Sequence, residues 1–145
     1  MTQTELQRYT AERNRLNAEI DLLLEKKQDA VSFACTGSQA LSGMPKRAFY
    51  GSRIEKAAEL AQKYEGEANR LIDELNSIKK PMRSFIASLP KLTQRLVMEY
   101  RYLDEGYPRI HHKNCWSWRD IAKALKISQA YVRKVHEKIF TQYIE

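Results

Sequence analysis

Cysteine, glycine and proline are all scarce in this chain, and each scarcity excludes something. Two cysteines, Cys35 and Cys115, stand far apart in 145 residues. That is too few for the disulfide framework that staples small secreted domains. A reduced, intracellular setting is the simple expectation. Five glycines and four prolines, with few β-branched runs, disfavour a sheet of tight hairpins and favour helices. No apolar run approaches the roughly 20 residues of a membrane span. The opening residues, Met1 to Glu5, are polar and acidic, which does not fit a secretory signal. There is no glycine-rich phosphate loop, no nucleophile elbow and no plausible pair of carboxylates, so an enzyme is not expected. His111, His112 and Cys115 lack a fourth ligand and any repeated Cys-x-x-Cys or His-x-x-x-His spacing, so no metal or other cofactor is expected.

Positive charge is present, and it is uneven. The net charge is +7, and residues 80–145 alone carry an excess of that size. The stretches 1–34 and 53–79 are each close to neutral. A basic part joined to a near-neutral part fits a polyanion reader attached to an assembly or spacer element.

Residues 3–34 read as one long helix. Leu6, Tyr9, Arg13, Leu16, Ile20, Leu23, Lys27 and Ala30 alternate at spacings of three and four, which is a heptad seam. Arg13 and Lys27 interrupt it, and polar seam residues can set register or partner number. Leu22 and Leu24 widen the apolar face. Residues 35–52 read as a loop, punctuated by Gly37, Gly43, Pro45 and Gly51. Met44, Phe49 and Tyr50 can tuck against helices there, and Lys46 and Arg47 can meet a phosphate. Residues 53–80 form a second long helix, with Ile54, Ala57, Ala61, Tyr64, Ala68, Leu71, Leu75 and Ile78 along its seam. Pro81 either ends it or kinks a continuation through Met82, Phe85 and Leu89. The small seam residues call for larger ones opposite, such as Leu16, Ile20 and Leu23. Matched lengths of ~45 Å point to an antiparallel hairpin. Two helices alone leave wide apolar faces uncovered, so hairpins from two or more chains are expected to associate.

The C-terminal part carries the sharper pattern. Residues 90–103 read as a helix with Pro90 in its first turn, and Leu92, Leu96, Tyr100 and Leu103 along one face. A loop, 104–115, brings Arg109, His111, His112 and Lys113. From Trp116 to Phe140 the chain reads as helix, turn, helix. Ser117 is the expected N-cap of the first helix, with Asp120 three residues on. Leu125-Lys126-Ile127 forms the turn, and Ser128 caps the second helix. Ile121, Leu125, Val132, Val135 and Ile139 face inward, and Ala122 lets the two helices approach. Lys126 stands where the turn favours glycine, at a cost of about 1–2 kcal/mol for a left-handed backbone. Trp118 is expected to pack on Leu96, Tyr100 and Ile139; packing is preferred to base stacking for it and for Trp116. His136 is expected at the core boundary in a structural role. The outward face of the second helix carries donors near its N-terminus, as a helix meant for a major groove requires.

The segments Leu89-Pro90, Gln94-Arg95-Leu96-Val97, Arg101-Tyr102, Trp118 to Ala122, Leu125 to Ser128 and Val132 to His136 together resemble region four of bacterial sigma factors. With the helical hairpin in front, the whole is similar to small phage and prophage transcriptional regulators of the ArpU and RinA type. That resemblance implies a recognition helix over 128–141. Gln129, Ala130, Arg133, Lys134 and Glu137 would face the DNA with Ser128 at the helix start, and Arg119 and Lys123 would lie near phosphates. It also raises RNA polymerase as a partner. The loop 104–115 is longer than the corresponding link in many sigma domains.

The expected fold is all-α: a long antiparallel coiled-coil hairpin over residues 1–80, then a helix-turn-helix domain over 81–145. The expected function is sequence-specific binding of double-stranded DNA in transcription regulation, in the cytoplasm of a bacterial host. The protein would be a homo-oligomer through residues 3–80 and would not engage a membrane. The alternative is a small-terminase-like recognition subunit for DNA packaging, although such proteins usually carry the DNA-binding part first. A third reading is a hairpin whose C-terminal motif binds protein.

Overall fold

The computed structural model describes residues 1–40, 47–103 and 115–145, with side chains at 1–33, 54–103 and 115–145. Over these residues the chain is all-α, with five helices and no strand. They are α1 (Gln3–Ala40), α2 (Arg47–Ala87), α3 (Leu92–Met98), α4 (Trp118–Leu125) and α5 (Gln129–Tyr143). A π-helical turn, Glu99–Leu103, continues α3. No helix among the described residues is long and apolar enough to cross a membrane.

Both long helices run further than their seams foretell. Much of the stretch expected as a loop over 35–52 is helical, up to Ala40 and again from Arg47. An interior glycine such as Gly37 or Gly51 costs a helix about 1 kcal/mol, which is offset where each added residue also adds a backbone hydrogen bond. Met44 and Lys46 lie outside the described residues, as do the side chains of Arg47, Phe49 and Tyr50. Pro81 sits inside α2 and does not end it. An interior proline costs about 3 kcal/mol. Beyond it, Met82, Ile86 and Leu89 are all buried, at about 1.5–3 kcal/mol each. Burial therefore outweighs the lost hydrogen bond, and the helix continues.

The chain divides into two compact units, Leu16–Glu74 and the pair of segments Met1–Arg15 with Leu75–Glu145. The first is a helical hairpin. Lys27 of α1 pairs with Glu65 of α2 at 3.5 Å, and Lys26 lies over the Tyr64 ring at 5.8 Å. Further along, Ala30 and Phe33 share a groove with Ala57 and Leu60. Advancing on α1 thus means retreating on α2, so the helices are antiparallel. Leu16, Ile20, Ala30, Ala57, Ala61, Ala68 and Leu71 are buried.

The second unit builds one core from six helical segments. Leu6 and Tyr9 from the start of α1 join Met82 and Ile86 from the end of α2. Val97, Met98, Tyr102 and Leu103 come from α3 and its π-helical turn, and Ile121, Val132, Val135 and Ile139 from α4 and α5. Thr2 and Glu5 cap α1 reciprocally. The Thr2 amide donates to the Glu5 carboxylate at 2.8 Å, and the Glu5 amide to the Thr2 hydroxyl at 3.1 Å. The Gln3 amide donates to the Glu145 carbonyl at 2.8 Å, and the Glu145 amide returns a bond to Met1 at 3.2 Å.

The helix expected from Pro90 starts later, at Leu92, with Lys91 extended as its N-cap. Its expected inward stripe is also displaced. Leu92 is 63% exposed, whereas Gln94, Val97 and Met98 are buried. The π-helical turn then shifts the phase of the helix, so that Tyr102 and Leu103 both reach the core. A stripe drawn at α-helical spacing cannot anticipate that shift.

Candidate nucleic-acid interface

The geometry of α4 and α5 starts with two serines. The Ser117 hydroxyl accepts from the Asp120 amide at 3.1 Å, and the Ser128 hydroxyl accepts from the Tyr131 amide at 3.2 Å. Each cap satisfies a first-turn N–H that the helix itself leaves open. Between the caps the chain turns at Lys126, whose φ of 57° and ψ of 41° are left-handed. It is the single non-glycine residue with positive φ among those described. The Ile127 amide donates to the Ala122 carbonyl at 3.1 Å and the Lys126 amide to Lys123 at 3.3 Å. These are the paired bonds of a Schellman ending, with Ile127 as its apolar anchor. Ala122 is buried, and so are Ile121, Val132, Val135 and Ile139; Leu125 is half-buried. Short caps and a tight turn thus set two helices at a fixed angle on a shared core.

Behind this pair lies a cluster of rings. His136 of α5 stands 4.8 Å from the Trp118 ring and 4.6 Å from Phe140, and stacks on Tyr102 at 5.8 Å. Its Nε2 shares a hydrogen bond of 2.8 Å with the Tyr102 hydroxyl. Burial, reinforced by the nearby Arg101 charge, pushes the His136 imidazole down to about 4, so it is neutral at pH 7. Burial also pushes the Tyr102 hydroxyl up to about 12. The Arg101 guanidinium lies over Trp118 at 4.3 Å and donates to the Trp116 carbonyl at 2.7 Å. Trp116 in turn packs on Tyr100 at 4.6 Å. Both tryptophans are therefore packed, as expected. Trp118 packs against the core that holds Ile139, and its ring also meets His136 and Arg101, which helical spacing does not suggest.

The C-terminal end of the π-helical turn is tied down by cations from the long helices. Arg13 donates to the carbonyls of Arg101 and Tyr102 at 3.1 and 3.0 Å. Lys79 donates to the Leu103 carbonyl at 2.8 Å. The Tyr9 hydroxyl adds a bond to the Tyr102 carbonyl at 2.6 Å. Helix-end carbonyls carry partial negative charge, so buried cations suit them. Arg13 marks itself in the sequence as an interruption of the seam; its partners, about 90 residues away, leave no local signal.

All eight residues singled out for DNA contact are exposed. Arg119 and Lys123 lie on α4, and Gln129, Ala130, Arg133, Lys134 and Glu137 lie on the outer side of α5. Ser128 sits between the helices with its oxygen engaged by the cap, which leaves its O–H proton for another partner. Lys126 at the turn and Tyr131 and Lys138 on α5 are exposed too, although the sequence pattern does not mark them as contacts. Arg109, His111, His112 and Lys113 lie outside the described residues. No group of three or more His, Cys, Asp or Glu side chains among the described residues is arranged to hold a metal. No family model, curated protein or solved structure gives a significant match to this chain.

Proposed function

We propose that this chain is a sequence-specific regulator of transcription that reads double-stranded DNA through the major groove with α5. The observation that carries the reading is the capped α4–turn–α5 unit, whose inner side is apolar and whose outer side exposes Gln129, Arg133 and Lys134. A major groove about 12 Å wide admits one helix, and base edges there are told apart by donors such as these. Arg119 and Lys123 on α4 supply phosphate contacts, which position the domain without reading sequence. The charge excess of residues 80–145 falls on the same part of the chain. The sigma-like pattern of Gln94 to Val97 and Trp118 to His136 supports a phage or prophage regulator acting in the bacterial cytoplasm, where its DNA lies.

Arg133 has the reach and charge to grip a guanine with two hydrogen bonds. Such a pair is worth about 1–3 kcal/mol of discrimination. Arg133→Ala is therefore expected to weaken binding to a selected site by that amount while sparing scrambled DNA. Gel shifts on both sequences, after in-vitro selection of the site, check it. Equal weakening on both would make Arg133 a phosphate contact.

A further inference from the structure

A groove of about 500 Å³ runs between the start of α3 and one flank of α5. Lys91, Thr93, Tyr131, Lys134 and Lys138 line it. Lys91, Lys134 and Lys138 are all exposed, and among the described residues none of the three is in an ion pair. Glu137 also borders the groove, yet its carboxylate bridges to none of them. Lys134 and Lys138 are four residues apart on α5, where like charges repel and destabilise a helix slightly. Three exposed lysines line one groove, and their mutual repulsion falls when an anion lies between them. The groove is on the α3 side of α5, whereas Arg119 and Lys123 stand on α4.

The geometry points to this groove as a second phosphate-binding wall for the duplex that α5 enters, an inference that rests on the DNA reading above. Lys91 and Lys138 hold the phosphodiester backbone on the α3 side, with Lys134 between them and the base edges, and Arg119 and Lys123 hold it on the α4 side. Thr93 and Tyr131 add hydroxyl donors at the rim. The recognition helix is thereby gripped on both flanks, which sets how deep it sits in the groove. The ligand is a phosphodiester chain, recognised by charge and spacing with no base preference.

The test is a salt series on the full chain, read by fluorescence anisotropy with a selected and a scrambled duplex. Each phosphate that the protein no longer neutralises lowers the slope of log K against log salt by about 0.9. The variant Lys91→Gln/Lys138→Gln should therefore lower the slope by about 1.8, with the ratio of selected to scrambled binding unchanged. Lys63→Gln/Arg70→Gln removes the same charge from exposed positions on α2 and should leave the slope alone. The groove is overturned if the first variant keeps the wild-type slope, or if both variants lower it equally. A fall in the selected-to-scrambled ratio would also overturn it, because the wall would then be reading bases. If the wild-type chain shows no salt-sensitive binding at low ionic strength, the DNA reading fails, and the groove fails with it.

Discussion

At the scale of single residues, the turn between α4 and α5 is where sequence and backbone disagree most directly. Lys126 holds a left-handed conformation that costs a side chain with a Cβ about 1–2 kcal/mol. Glycine adopts it freely but loses more chain entropy on folding, by about 0.5–1 kcal/mol. The first effect is the larger, so Lys126→Gly is expected to stabilise the fold by about 0.5–1 kcal/mol. Urea denaturation would show it as a higher midpoint with an unchanged slope. A lower midpoint would mean that the lysine side chain contributes something its exposed position does not reveal. The same substitution removes a cation from the tip between the two helices. A lysine at a strained position fits a contact role, and weaker DNA binding by a more stable variant would separate the two effects.

At the scale of elements, the π-helical turn Glu99–Leu103 and its cations connect the long helices to α5. Arg13 is 2% exposed, and its guanidinium is engaged by two helix-end carbonyls and by Asn14. Replacing it with methionine keeps the apolar stem, leaves the part-buried Arg101 carbonyl without that donor and takes one of two donors from the buried Tyr102 carbonyl. A buried polar group left unsatisfied costs about 1–3 kcal/mol. Arg13→Met is therefore expected to destabilise by about that amount, seen as a lower thermal midpoint, while an exposed control such as Arg8→Met changes little. An unchanged midpoint would show that the carbonyl finds water or another donor. Arg13 also marks how far the sequence is legible. The caps at Ser117 and Ser128, the strained Lys126 and the inward Ile121, Val132, Val135 and Ile139 can all be read, because each is set by neighbours within a few positions. The displaced face of α3 cannot be read, because an exposed Leu92 and a buried Gln94 run against their polarity, and the π-helical turn that follows shifts the phase again. The passage of α2 through Pro81 is undecided at the level of sequence for a related reason. Its outcome rests on the burial of Met82 and Ile86, which the local sequence does not contain.

At the scale of the whole molecule, the compact units are not the halves that composition suggests. The charge step near residue 80 marks a boundary in the sequence, yet Leu6 and Tyr9 are core residues of the unit that holds α4 and α5. Association, if it uses the long helices, must then draw on residues 16–74. That stretch carries six of the nine large apolar side chains exposed among the described residues: Leu22, Leu24, Val31, Phe33, Ile54 and Leu60. Burying one such side chain is worth about 1.5–3 kcal/mol, and a stable interface needs about 1,200–2,000 Å² in total. Phe33 and Leu60 flank one groove with Lys26, Lys56 and Asp29. Both signs of charge are present there, so the same face can meet a second copy of itself across a two-fold axis. Sedimentation of the full chain is expected to give a dimer to tetramer, and Phe33→Glu/Leu60→Glu a monomer that keeps its helical content. A ring of eight or more subunits would favour the packaging role over regulation. A wild-type monomer at high concentration would exclude self-association through that face.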